Sequence, residues 1–395
     1  MKKILIYRSL SALKPIGGPS GYLFNLKNGL DNIKTNDFDV SFLPENNKSE
    51  GFKNSAKASK NVIVKFALNR FRELKHLKKV FDVLYKKAAP KVDLDLYDAV
   101  HFHTTHDIYQ LRDHLKTYKG KVLLTSHSPQ PLSHEYIESS SVWETILFKK
   151  RFSKLIKMDE FAFSRADNII FPCEYADEPY VHEWKDYSTI KQNKISDYRY
   201  LLTGTNKAAV NVPRNIIRDK YGIPEDAFVI SYVGRHNAIK GYDKLKGICT
   251  EILKKHQNVY ILVAGNIGPI LPPNHERWIE VGWTNDPHSI VAASDVFVLP
   301  NKETYFDLVL LEVLSLGKIV VASNTGGNKY FDNDKTHGVQ LYNSDEECID
   351  IIEHVMKKSE SERNALENQN QELFEKNFTN EVFAQNYINM LKTVL

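Results

Sequence analysis

Short apolar, β-branched runs recur along the chain, and helix-length amphipathic segments fill the intervals between them. In the first half, Lys3 to Tyr7, Phe38 to Leu43, Ala99 to Phe102, Val122 to Ser126 and Asn168 to Pro172 read as strands. The second half repeats the rhythm at Phe228 to Val233, Tyr260 to Ala264, Ile279 to Val281, Val296 to Leu299 and Ile319 to Ala322. Strands that are apolar on both faces and separated by helices belong to parallel sheets covered on both sides. The rhythm lapses over about residues 185–224, around Gly204-Thr205-Asn206 and Asn211-Val212-Pro213-Arg214, which marks a hinge. The expectation is an α/β chain of two doubly wound domains facing across a cleft, residues 1–200 and 201–395. Residues 380–395 carry Val382, Phe383, Tyr387, Met390 and Leu391 on one stripe, and so read as a helix packing back toward the first domain. Ligands of such sheets bind beyond the carboxyl ends of the strands, so function is expected on the loops that leave them.

Composition narrows the classes. A length of 395 residues exceeds one ordinary core, and 42% apolar content with only 15 Pro and 18 Gly excludes fibrous and disordered chains. The net charge of +4 is too mild to point to nucleic acid. Cys173, Cys249 and Cys348 show no CxxC spacing, which disfavours a disulfide framework or a cysteine zinc site and fits a reducing compartment. Arg8 interrupts the opening apolar run and no window has the length of a membrane span, so a cytoplasmic, non-spanning protein is expected. Charge is uneven locally. Residues 60–91 hold ten basic against two acidic side chains, with Leu74, Leu77, Phe81 and Leu84 on one stripe. Such a helix either rests on an anionic membrane surface or packs its stripe into the core.

Two loops carry the strongest chemistry. Val233-Gly234-Arg235-His236-Asn237-Ala238-Ile239-Lys240-Gly241 leaves a strand and enters a helix, placing two cations and flexible backbone where a diphosphate can be gripped. Pro300-Asn301-Lys302-Glu303-Thr304-Tyr305-Phe306-Asp307-Leu308-Val309-Leu310-Leu311-Glu312 leaves another strand and starts a helix around Phe306 to Leu308. Glu312, one turn inside, can accept the hydroxyl protons of a ribose diol or serve the helix dipole.

Together these stretches resemble the retaining GT-B glycosyltransferases of family 4, and the resemblance covers most of the chain. Arg235 and Lys240 meet the family's Arg-x4-Lys pair; Phe306, Leu308 and Glu312 fall in register with its Glu-x7-Glu segment. The first acid departs: Thr304 stands eight before Glu312, Glu303 is one residue early, and Asp307 occupies a position where glycine is usual. Weaker matches keep the same order. They include the glycine loop at Gly17 and Gly18, the Gly282-Trp283 segment that cradles a nucleobase, and the turn Thr325-Gly326-Gly327. His127, at a strand end, matches a histidine that reaches the transferred sugar.

The resemblance implies two Rossmann-like domains and a hexosyltransferase that needs neither metal nor cofactor. Its donor would be a nucleotide-sugar, UDP favoured, and its acceptor a glycan or lipid-linked saccharide of surface polysaccharide synthesis. Arg235, Lys240, His127 and Glu303 would be catalytic; Gly17, Gly18, Gly234, Gly282, Trp283, Thr304, Phe306, Asp307, Leu308 and Glu312 would bind the donor. A catalytically silent subunit that binds glycan or stabilises a partner transferase is the alternative. His101, His103, His106 and His134-Glu135 lack the spacing of a metal site, and Asp93-Leu94-Asp95 reads as solvent-facing.

Overall fold

The computed structural model describes residues 1–9, 13, 18–44, 75, 77–78, 80–127, 130–332, 336 and 338–395. Each half builds one parallel six-stranded sheet with helices on both faces. The first contains β1 (Lys2–Tyr7), β2 (Phe38–Phe42), β3 (Ala99–Phe102), β4 (Lys121–Thr125), β5 (Asn168–Phe171) and β6 (Tyr198–Tyr200), in the order β2-β1-β3-β4-β5-β6. The second contains β7 (Phe228–Val233), β8 (Val259–Ala264), β9 (Trp278–Gly282), β10 (Val296–Leu299), β11 (Ile319–Ser323) and β12 (Val339–Tyr342), in the order β12-β11-β10-β7-β8-β9. Central strands such as β3, β5 and β10 are buried at every residue, which is why they read as unbroken apolar runs rather than as alternation.

Two strands fall outside the sequence reading. β6, Tyr-Arg-Tyr, is a three-residue edge strand inside the stretch read as a hinge, and β12, Val-Gln-Leu-Tyr, is a short edge strand interrupted by a glutamine. Edge strands bury one side only and lose the continuous apolar signal.

The two sheets share a core. One cluster of buried side chains runs from Leu5, Val100 and Phe171 of the first sheet to Phe297, Phe306 and Phe331 of the second half, with the Phe171 and Tyr305 rings 5.7 Å apart. The last helix, Asn380–Val394, crosses to the first half and lies on the helix Gly18–Asn32. A Cβ at Gly29 would sit 1.9 Å from the Asn380 carbonyl oxygen, so glycine permits that approach. Phe383, Tyr387, Ile388 and Leu391 then bury against Ile4, Ile6, Leu23 and Leu26. At the crossover, the Thr205 N–H donates to the Phe378 carbonyl at 2.8 Å.

Most of the basic segment 60–91 lies outside the described residues, but Leu77, Phe81 and Leu84 are buried against Phe152 and Leu155. The core-packing alternative thus holds for these three residues, while Leu74 lies outside the described residues. Among the described residues no helix is long and apolar enough to cross a membrane.

Candidate active site

The loop after β7 is shaped by what lies beneath it. Gly241 adopts φ 66°, and a Cβ there would come within 1.6 Å of the Pro300 carbonyl oxygen, so only glycine lets this loop lie on the chain leaving β10. The two loops are then knit by the Lys302 N–H, which donates to the Ile239 carbonyl at 3.0 Å, while within the first loop the Lys240 N–H donates to Asn237 Oδ1 at 2.9 Å. Below them the buried His236 ring stacks on Tyr242, centroids 3.8 Å apart. Glu280 of β9 accepts from the Tyr242 hydroxyl at 2.6 Å and from Trp278 Nε1 at 2.8 Å. Burial pushes the His236 pKa down against the pull of Glu280. This base leaves Arg235 exposed and Lys240 partly covered.

Lys240 is engaged by a carboxylate. Its Nζ lies 2.7 and 2.8 Å from the two oxygens of Asp307, and Asn301 Nδ2 also donates to that group. Asp307 occupies the N-cap position of the helix Leu308–Ser315 yet makes no capping bond there, because both oxygens turn to Lys240. The first-turn N–H groups of that helix are therefore left without a side-chain cap, an arrangement that favours an anion. Glu312, on the same helix, meets His288 Nε2 at 3.3 Å and thereby pushes the His288 pKa up.

Glu303 and Thr304 sit where the halves meet. Glu303 Oε1 is 3.0 Å from Nδ1 of His182, on the helix Glu178–Glu183 of the first half. From that same helix, Glu178 accepts from the Gly326 N–H and from Lys329 Nζ, both at 2.5 Å. Gly326 has φ 46°, and a Cβ would fall 2.0 Å from the Thr304 carbonyl oxygen. Thr304 is 2% exposed. The Phe306 ring packs against Phe331 and Phe378 in the core rather than facing the cleft loops. Gly282, at φ 75°, closes β9, and Trp283 follows it with 66% of its surface exposed.

The opposite wall is built from the first sheet. Gly17 lies outside the described residues; Gly18 opens the helix Gly18–Asn32, and a Cβ on Gly21 would stand 3.3 Å from Leu308 Cδ1 across the cleft. His127 Nε2 and His103 Nδ1 are 2.8 Å apart, with the Tyr22 ring 4.5 Å from His127. Burial holds both imidazoles well below their ordinary pKa, so they are neutral at pH 7. His101 is occupied on both nitrogens, by Tyr387 at 3.1 Å and Thr125 at 2.8 Å. No group of three or more His, Cys, Asp or Glu side chains among the described residues is arranged to hold a metal ion. Asp93 and Asp95 are exposed; Asp93 accepts from the Asp95 N–H at 3.1 Å and caps a short turn, Leu94–Leu96, that buries Leu94.

Some of the buried polar atoms without a hydrogen-bond partner lie on these two walls: Arg8 Nε and Nη1 and His103 Nε2 on one, Asn301 Oδ1, Glu303 Oε2, Thr304 Oγ1 and Tyr305 OH on the other. Native interiors leave few such atoms, and those left call for an explanation. Arg8, Glu178, His182, Glu280 and His288 were not anticipated from sequence. Only Arg8 had a local signal, a cation at the end of an apolar strand.

Residues 213–372 match the family described as "Glycosyl transferases group 1". Among curated proteins, the O-antigen biosynthesis glycosyltransferase WclY of Escherichia coli is 25% identical over 222 residues, covering 52% of this chain and 54% of that protein. The matched segments of the first relatives found span 51–65% of their lengths. Among solved structures, sucrose-phosphate synthase from Thermosynechococcus elongatus superposes with a TM-score of 0.63 at 17% identity, over 100% of this chain and 99% of its own. Anabaena Alr3699/HepE in complex with UDP-glucose does so with a TM-score of 0.61 at 15% identity over 100% of both chains. At those identities the likeness establishes the fold, the two-domain GT-B arrangement.

Proposed function

We propose that this chain, whose residues 213–372 carry a group 1 glycosyl transferase domain, is a retaining, metal-independent hexosyltransferase of family 4 that uses a UDP-sugar donor. One observation carries the reading. Lys240 holds both oxygens of Asp307 beside the uncapped start of the helix Leu308–Ser315, and phosphate oxygens are acceptors of the same kind.

In this reading the bond between the anomeric carbon and the diphosphate oxygen breaks, and its electron pair stays on the diphosphate. Arg235, Lys240 and the helix N–H groups stabilise that departing charge, which is greater in the transition state than in the bound donor. The acceptor hydroxyl attacks the face the leaving group vacates, and its proton passes to a phosphate oxygen. Glu312 accepts from the ribose hydroxyls, Trp283 supports the base, and Glu303 or Thr304 meets the transferred sugar. A neutral His127 takes part through hydrogen bonding. The unsatisfied polar atoms on both walls favour a polyhydroxylated ligand, which supplies donors and acceptors together.

The acceptor we favour is a lipid-linked or free glycan of surface polysaccharide synthesis, as the name of the WclY relative suggests. Exposed Val142, Ile146 and Leu147 stand beside exposed Lys149, Lys150, Lys154 and Lys157, a combination suited to an anionic bilayer. Salt-sensitive sedimentation with anionic vesicles tests that surface; no sedimentation at low salt refutes it.

Thermal stabilisation by UDP, followed by product analysis with UDP-glucose, tests the enzyme reading. The silent-subunit alternative is favoured by the carboxylate already seated on Lys240, and it predicts neither donor hydrolysis nor stabilisation by UDP.

A further inference from the structure

One corner of the cleft holds more hydrogen-bond donors than the chain itself uses. Arg8 is the first residue after β1, His103 the first after β3, and His127 lies two residues beyond β4. These strands are neighbours in the sheet, so the three side chains crowd the carboxyl edge, where ligands of open α/β sheets bind. Arg8 Nε and Nη1 are buried without a partner, and so is Nε2 of His103, a residue only 1% exposed. The carboxylate that acts on Arg8 electrostatically is Asp107. Its oxygens, however, accept from the Ser9 N–H at 3.1 Å and from the Ser9 hydroxyl, and no ion pair joins it to Arg8.

The imidazoles cannot compete with Arg8 for an anion by carrying charge, because burial keeps them neutral. They can still donate. With the proton of His127 on Nε2, facing Nδ1 of His103 at 2.8 Å, His103 carries its own proton on the unpartnered Nε2. His101 is closed to such a role, since Tyr387 and Thr125 use both its nitrogens. Arg8 is half-buried, and a guanidinium with two nitrogens stripped of water without replacement bonds is costly; the group that compensates it best is a planar or tetrahedral oxyanion matching its fork.

We propose that Arg8 and His103 form an oxyanion subsite on the first-sheet wall, and that a saccharide handled in this cleft carries a carboxylate or a phosphate. The inference rests on the glycosyltransferase reading and adds the charge of the substrate. Two sources share the chemistry: a uronic acid in the donor, or a phosphate on the acceptor.

Calorimetric titration of the full chain separates them. One arm compares UDP-glucuronate with UDP-glucose; the other compares glucose 6-phosphate with glucose, with and without saturating UDP. A charge-assisted bond to a half-buried guanidinium corresponds to a preference of about tenfold to a hundredfold for the anionic sugar in one arm. Arg8→Gln should abolish that preference, and Arg8→Lys, which keeps the charge without the fork, should retain a fraction of it. A cooperative melting transition without ligand reports folding of both variants. Should Arg8→Gln fail to fold, a preference in Arg8→Lys equal to that of the unaltered chain overturns the subsite. No preference in either arm, or one that survives Arg8→Gln, overturns it as well. A chain that UDP does not stabilise counts against the donor assignment alone, because the glucose 6-phosphate arm without UDP still reads the subsite.

Discussion

Asp307→Asn is the substitution whose outcome separates the roles open to the carboxylate on Lys240. The Lys240 ammonium lies 2.7 and 2.8 Å from the two carboxylate oxygens, with the two side chains 28% and 18% exposed. Hydrogen bonds to charged groups contribute about 1.5–3 kcal/mol, and partial exposure sets this pair at the lower end, ~1.5 kcal/mol. A diphosphate taking the same ammonium must displace that interaction and then tolerate a neighbouring negative charge. Removing the charge should therefore tighten UDP binding by about tenfold, since each tenfold is about 1.4 kcal/mol. The unliganded chain should meanwhile melt a few degrees lower, because Lys240 loses its partner. Titration calorimetry with UDP and a melting curve read the two effects, which have opposite signs. If Asp307→Asn binds UDP as weakly as or more weakly than the unaltered chain, the carboxylate positions Lys240 instead of competing for it, and the displacement argument fails.

Arg235→Ala and Lys240→Ala should each lower turnover by roughly a hundredfold or more while Arg235→Ala, at an exposed position, leaves the melting temperature unchanged; steady-state kinetics beside melting curves check both. His288 is held above its ordinary pKa of about 6.5 chiefly by its bond to Glu312. Its contribution to stability is accordingly full below that value and lost as pH rises through the elevated folded-state pKa, and in Glu312→Gln an NMR titration of His288 should move its midpoint down. His101 has the opposite sign. Burial pushes its pKa down to about 3, so the unfolded chain binds its proton first and stability falls as pH drops from about 6.5 toward 3. Melting temperatures across that range should decline less steeply in His101→Gln.

Legibility in the sequence followed the range of the interactions involved. Central strands such as β3 and β10 are buried on both faces, so their apolar runs announced themselves, and the glycines and cations of residues 234–241 marked the turn that the Pro300 carbonyl requires. Edge strands β6 and β12 lacked that signal. Pairings set by tertiary packing left no local trace. Lys240 with Asp307 spans 67 positions, Glu303 with His182 spans 121, and His101 with Tyr387 spans 286. The unusual residue at 307 was visible as a departure from the family pattern, whereas its grip on Lys240 depended on how two loops from different strands were knit together. The neutrality of the strand-end histidines likewise came from burial.

The returning helix Asn380–Val394 has a consequence for how the chain is made. It completes the cover over Ile4, Ile6, Leu23 and Leu26, so that face of the first half stays partly bare while the second half is still being synthesised. At about 5–20 residues per second, the ribosome needs roughly ten to forty seconds to travel from the end of the first sheet to that helix. During this interval the nascent first half exposes a greasy surface that the helix Asn380–Val394 later seals, which makes it a natural client for chaperones and ties its maturation to the synthesis of that helix.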